Sequence, residues 1–346
     1  MAKILLYTDV HFSIYSSIIR SRGKKYSKRL ENLINSLNWA EQLAEIERCD
    51  EVICLGDFFD KSLLDAEEIT ALQEINWANL PHTFIVGNHE SNIKSLIYSS
   101  VKALQNKGFT IVDKPSIKDL DNCRLYFIPY LLDEDRKTIK EYVEEFPYLG
   151  KKIFLSHNDI KGIKYGMYES KDGFDINDID NNCDLFLNGH LHNGQPFSKK
   201  GINLGNLTGQ NFGEDSFKYE HCAFILDTNN NEVKIIENPY AFNFYQITIL
   251  DKKDFNKLNE LKNQAIVSIK CVKNCLEEFK SYLKTIDKIE ESRVIILPET
   301  NDVLNESIDI KDLANVDYLE QFRIFVLDKL GNTEDVIEEI NNIIKE

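Results

Sequence analysis

Short apolar runs recur through the first half of the chain, each followed by polar residues and then by an amphipathic stretch. Ile4–Tyr7, Val52–Leu55, Phe84–Val86, Leu125–Ile128 and Ile153–Leu155 read as strands. Between them, helical patterns lie near 28–47, 65–76, 91–106 and 134–146, and Lys107-Gly108 offers a stop for the third. Strands alternating with helices predict a sheet with helices on its faces. From Cys183 to about Glu237 the pattern changes to short strands joined by turns such as Lys200-Gly201 and Asn229-Asn230-Asn231. That change predicts a second sheet packed on the first, an α/β sandwich.

Residues 244–297 predict a smaller unit, with strands at Tyr245–Leu250, Ile266–Val272 and Arg293–Leu297 and helices near 254–263 and 275–287. Pro298 to Ser307 is polar and reads as a linker. Beyond it, Leu313, Val316, Leu319, Phe322 and Val326 share one helical face, and Val336, Ile337, Ile340 and Ile344 form a second stripe. The expected divisions are therefore 1–240, 241–298 and 299–346.

Composition changes this picture little. The 346 residues are 42% hydrophobic and 28% charged, ordinary for a globular protein. No apolar run reaches the roughly 18 residues of a membrane helix. Met1-Ala2-Lys3 leads straight into the first apolar run, which is too short for a signal-peptide core. The seven cysteines form no Cys-x-x-Cys pair and read as free thiols, so a cytoplasmic location is expected. The net charge of −16 argues at first against a polyanionic partner. Its distribution weakens the objection. Residues 299–346 hold 13 acidic and 4 basic side chains, a net of −9. Arg20, Arg22, Lys24, Lys25, Lys28 and Arg29 form a basic cluster with no acid between Phe12 and Leu30. Phosphate contacts depend on such local patches, and this cluster is expected to make them.

The candidate chemistry lies in five short motifs. They are Asp9-Val10-His11, Gly56-Asp57-Phe58-Phe59-Asp60, Gly87-Asn88-His89-Glu90, Ser156-His157-Asn158 and Gly189-His190-Leu191-His192. Each follows an apolar strand candidate, where open α/β sheets build their sites. Taken singly, most have bland readings: a turn, a packed imidazole, an asparagine in a left-handed conformation. Together they hold five of the seven histidines, and His82 and His221 remain without a role. Carboxylate and imidazole without thiolate suit a hydrolytic pair of manganese, iron or zinc ions rather than a structural zinc.

In this order the motifs resemble those of the calcineurin-like metallophosphoesterases. The resemblance implies a two-sheet α/β/β/α metallophosphoesterase sandwich with a small α/β cap domain and C-terminal helices. One metal would take Asp9, His11, Asp57 and His192, the other Asp57, Asn88, His157 and His190, with Asp57 shared. A hydroxide made available by the metals would attack phosphorus in line, and His89 would face the phosphate. Asp60 would hold a ligating histidine in its tautomer.

Within that superfamily the chain resembles the SbcD-type nucleases and their phage recombination-endonuclease counterparts. The features behind this are the basic insert before Ser27, the form Phe58-Phe59-Asp60, the returns Gly205-Asn206-Leu207-Thr208 and Gly213-Glu214-Asp215, and the small unit at 244–297. The implied function is metal-dependent DNA exonuclease or endonuclease cleavage, most simply with Mn2+, in recombination and double-strand-break repair. The implied partners are DNA and an SbcC-like coiled-coil ATPase, and a homodimer is compatible with them. The location would be the host cytoplasm if the gene is a phage's. The small unit would govern access of DNA without supplying a ligand. Lys61-Ser62 stands where phosphatases of the superfamily have Arg-Gly, and Glu90 where Asp is commoner. The alternatives are a phosphatase or phosphodiesterase acting on a small molecule or an RNA end, and a non-catalytic binding module.

Overall fold

In a computed structural model, which describes residues 2–92, 95–165 and 168–297, two six-stranded sheets face one another. The first runs Glu232–Glu237, Cys222–Asp227, Lys3–Tyr7, Glu51–Cys54, His82–Ile85, Thr110–Val112. The second runs Gln195–Pro196, Gly201–Asn203, Leu185–Asn188, Lys151–Ser156, Cys123–Ile128, Ser116–Asp119. Lys3–Tyr7 pairs in parallel with Glu51–Cys54, and Lys151–Ser156 lies parallel between Cys123–Ile128 and Leu185–Asn188.

Strand side chains alternate faces, so an apolar strand serves two layers at once. Ile4 and Leu6 join Leu125, Phe127, Ile153, Leu155 and Leu187 between the sheets. Leu5 and Tyr7 point the other way, onto Leu30, Leu33, Leu37 and Ala40 of the helix Lys28–Ile46. Ser27 starts that helix by accepting from Leu30 N. On the outer face of the second sheet, Tyr126, Phe154 and Phe186 pack on Ile139 and Tyr142 of the helix Ile139–Glu145 and on Ile179 of Ile176–Asn182. The result is four layers, helix, sheet, sheet, helix, as the motifs implied.

The expected helix at 91–106 is replaced. Ser91–Asn92 and Ser95–Ser99 form a hairpin, and a 3-10 helix occupies only Ser100–Lys107. Ser100 N donates to Glu90 O at 2.9 Å and closes the hairpin, and the Ser99 hydroxyl accepts from Val101 N and starts the helix there. Gly108, at φ 82°, ends it.

The segment after residue 240 carries a three-stranded sheet of Asn243–Ile249, Ala265–Val272 and Ile289–Leu297, the first two parallel. Its own core of Tyr245, Ile247, Val267, Ile269, Phe255 and Phe279 is joined by a second apolar cluster at its base. There Phe242, Phe244 and Ile266 meet Ile19 of the basic insert and Phe212 of the loop after the last motif. Residues 1–296 form one compact unit. The linker and the two apolar stripes from Leu313 to Ile344 lie outside the described residues. Among the described residues, no helix is long and apolar enough to cross a membrane.

Candidate metal centre

All five motifs lie just beyond strand ends on one edge of the sandwich, and their backbones are laced together. Asp9 N donates to Gly56 O at 3.1 Å and His11 N to Asp57 O at 2.9 Å. Asp9, His11, Asp57 and His190 all adopt positive φ, a conformation that costs a side-chain-bearing residue about 1–3 kcal/mol and gathers at functional sites. Gly56 permits a close approach that no side chain would allow: at φ 109°, a Cβ there would sit 2.3 Å from His157 Nδ1.

Each side chain is tied at one end and bare at the other. Asp9 Oδ2 accepts from Thr8 Oγ1 (2.7 Å) and His190 N (3.0 Å), while buried Oδ1 has no hydrogen-bond partner. Asp57 Oδ1 accepts from His89 N at 2.9 Å, leaving Oδ2 3.1 Å from His157 Nε2 and 3.8 Å from His11 Nε2. His157 Nδ1 meets Leu55 O at 2.7 Å, His11 Nδ1 meets Asp60 Oδ1 at 3.0 Å, and His192 Nδ1 meets Glu214 Oε1 at 2.7 Å. With those nitrogens donating, each Nε2 presents a lone pair. The lone pairs of His11 and His192 then face one another at 3.1 Å. His157 Nε2 faces a carboxylate oxygen in the same way. Atoms held that close need a proton or a metal ion between them, and a set of imidazole nitrogens and carboxylate oxygens converging in this way fits metal ions.

The side chains fall into overlapping groups: Asp9, His11 and His192; Asp57, His157 and His190; and His11, Asp57 and His89. Asn88 Oδ1 adjoins the second group, 3.0 Å from His190 Nδ1. His89 differs from the rest, because its side chain is 45% exposed and its Nδ1 lies 3.3 Å from Asp60 O. It stands at the open side of the centre, edge-on to the His11 ring.

Residues 2–194 match the family described as calcineurin-like phosphoesterase. The chain belongs to that family. Calcineurin-like phosphoesterases are hydrolases with a dinuclear divalent metal centre, and the groups around Asp57 are this chain's candidates for it. Among solved structures, a dimetal phosphatase from Danio rerio is 14% identical with TM-score 0.42, over 68% of this chain and 99% of that one. TT1561 of Thermus thermophilus is 10% identical with TM-score 0.41, over 68% and 98%. The calcineurin-like phosphoesterase YfkN from Bacillus subtilis is 12% identical with TM-score 0.37, over 68% and 88%. No curated protein matches the chain.

The structure thus brings Asp9, His11, Asp57, Asn88, His157, His190 and His192 together, with His89 and Asp60 beside them. The basic cluster behaves differently. Arg29 is 3% exposed and points inward, so it is not a surface phosphate contact. Arg22 pairs with Glu67, Lys25 with Glu74 and Lys28 with Glu290, which leaves Arg20 and Lys24 as the exposed cations outside those pairs. Sequence reasoning missed Glu214, which holds His192 and takes its own support from Asn206 Nδ2 at 2.9 Å. His221, to which the sequence assigns no role, lies behind this pair, its Nδ1 2.6 Å from Asn206 Oδ1. The only signal for Glu214 was its place in the short acidic run Gly213-Glu214-Asp215. Glu90 reads in sequence only as an oddity, yet its carboxylate accepts from Gly87 N at 2.8 Å and Phe59 N at 3.0 Å, joining the second and third motifs. Burial, aided by Asp57, pushes it up to about 8 against those bonds.

Burial opposes charge on Asp9, but the nearby His11 imidazole and the charges of His157 and His192 outweigh it and hold the carboxyl at about 2. Burial likewise opposes the protons of His157 and His192. The charge of Asp57 on the first, and the hydrogen bond that the second donates to Glu214, lift both to about 9. A ligating imidazole must be neutral, so metal uptake at pH 7 expels those protons. Titration with Mn2+ is expected to release about two protons per protein at pH 7, and apparent affinity to rise from pH 7 toward 9. Calorimetry in buffers of different ionisation enthalpy checks this, and a heat independent of buffer would contradict it.

Proposed function

We propose that this phosphoesterase is a DNA nuclease that uses Mn2+ and serves as the nuclease subunit of an SbcC–SbcD-like complex. The observation that supports the reading most is how the three-stranded unit meets the metal centre. Glu214, which holds His192, is followed by Asp215, which bridges to Phe244 of that unit. Arg293 of its last strand lies over the Phe212 ring, 4.6 Å from the centroid. Arg20 of the insert lines the same cleft, about 210 Å³ in volume. Arg20 and Arg293, with Glu291, and the Phe212 ring two residues before Glu214 form a mainly cationic and aromatic cleft that suits a polynucleotide chain. A small phosphomonoester has no use for them.

Two divalent ions would supply Lewis acidity toward the phosphoryl group and a nucleophilic water near neutral pH. The chain's own part is positional. Asp57 shares its free oxygen between the two groups, and Asp60, Glu214 and Leu55 O hold three imidazoles in the ligating tautomer. The hydrogen bond with Asp60 raises the His89 pKa against partial burial, and the ring stands on the solvent side, where it would pass a proton to the departing oxygen. The acidic segment beyond residue 298, whose structure is outside the described residues, would suit a basic docking surface on a coiled-coil ATPase.

The test is incubation with Mn2+ and end-labelled duplex and single-stranded DNA, beside a chromogenic phosphodiester and a phosphomonoester. Cleavage of DNA and diester, abolished by chelation, is expected. Turnover of the monoester with DNA left intact would favour the phosphatase reading instead.

A further inference from the structure

Among the described lysines and arginines, Arg29 alone is buried. It stands in the first turn of the helix Lys28–Ile46. A guanidinium out of water is strongly destabilising unless its surroundings compensate it. Its hydrogen bonds go to two backbone carbonyls, His11 O at 3.3 Å and Gly209 O at 3.5 Å. Those carbonyls belong to different loops. One carries the first motif, and the other leads to Glu214. The charges that act favourably on the guanidinium are Asp60 and Glu214. Asp60 holds His11 and Glu214 holds His192, and these histidines share one candidate metal group with Asp9. The other group, Asp57, His157 and His190, takes its supports elsewhere: Leu55 O for His157 and Asp159 for His190.

We propose that Arg29 is a positioning residue for one metal position only, the one formed by Asp9, His11 and His192. Its planar fork fixes the loop of the first motif against the loop of Glu214, and so sets the spacing of the two imidazoles. The proposal rests on the two-metal reading. Its sign separates geometry from charge. A fixed cation near a metal repels it, so loss of the Arg29 charge alone would tighten metal binding. Loss of positioning loosens it.

The experiment measures Mn2+ dissociation constants by equilibrium dialysis, with free Mn2+ read by electron paramagnetic resonance. The wild-type chain is measured first. Arg29→Met is then made in two backgrounds: His190→Ala, which leaves the Asp9/His11/His192 position intact, and His11→Ala, which leaves the other. Arg29→Met is expected to weaken binding about tenfold in the first background and less than about twofold in the second. Arg29→Lys keeps the charge, but a single ammonium cannot replace the fork, so it gives the same selective loss. It carries the test if Arg29→Met does not fold. Tighter binding, unchanged binding, or an equal loss in both backgrounds overturns the proposal. Fewer than two Mn2+ bound by the wild-type chain overturns the two-metal reading and this inference with it. Two bound, with unaltered Arg29 variants, overturns the inference alone.

Discussion

Asp57→Ala is expected to lose metal from both positions and to fall below detectable turnover. His89→Ala is expected to keep both metals and turn over about 10²–10⁴-fold more slowly. The difference follows from what each side chain touches. Asp57 is buried and its free oxygen faces His157 and His11, which belong to separate groups. Removing it takes a shared anion from two cations at once. It also removes the acceptor for His89 N, which loosens the third motif. The His89 ring stands at the solvent side and is held by Asp60. Elemental analysis after dialysis, with hydrolysis of a chromogenic phosphodiester, decides both. Full occupancy in Asp57→Ala would remove the bridging role. Loss of metal from His89→Ala would move His89 into the ligand set with His11 and Asp57.

The second expectation concerns two truncations. A chain ending at Tyr240 is expected to lose hydrolysis of the small diester as well as of DNA. A chain ending at Leu297 is expected to keep the small diester and lose co-purification with a coiled-coil ATPase. The 240/241 division suggests a metal-binding core able to stand alone, and the packing argues otherwise. Gly209 N donates to Phe242 O, Phe242 N to Thr208 Oγ1 and Ser216 N to Phe244 O, so both sides of Glu214 are fastened to residues beyond 240. Phe242 and Phe244 are 1% and 0% exposed. Losing a phenylalanine so buried costs about 3–5 kcal/mol, and two such losses approach the whole stability of many domains. Thermal unfolding of the metal-free chains shows whether the shorter one folds. Retained diester hydrolysis by the Tyr240 chain would show that Glu214 needs no support from beyond it. Full-strength partner binding by the Leu297 chain would place the docking surface elsewhere.

The layers were legible because strand side chains alternate between faces. The run Ile4-Leu5-Leu6-Tyr7 is apolar at every position and so serves both faces of a buried strand. The hairpin at Ser91–Ser99 was not legible. Its outcome turns on the Glu90 carbonyl and carboxylate, which act on residues of other segments, Phe59 and Ser100 among them.

The candidate ligands could be named from sequence alone, since each is a carboxylate, amide or imidazole set just after a strand, in a fixed order along the chain. Which atoms face the metals could not. That depends on Asp60, Glu214 and Leu55 O, which choose the ring nitrogen from positions 49, 22 and 102 residues away. The basic cluster shows the same limit. Six cations in ten positions look alike in sequence, yet in the fold Arg22 pairs with Glu67, Lys28 with Glu290, and Arg29 turns inward onto His11 O and Gly209 O. Residue type is a local property and travels with the chain. Burial, tautomer and the pairing of a charge are set by neighbours that only folding brings within a few ångströms, where the Coulomb and desolvation energies that decide them become large.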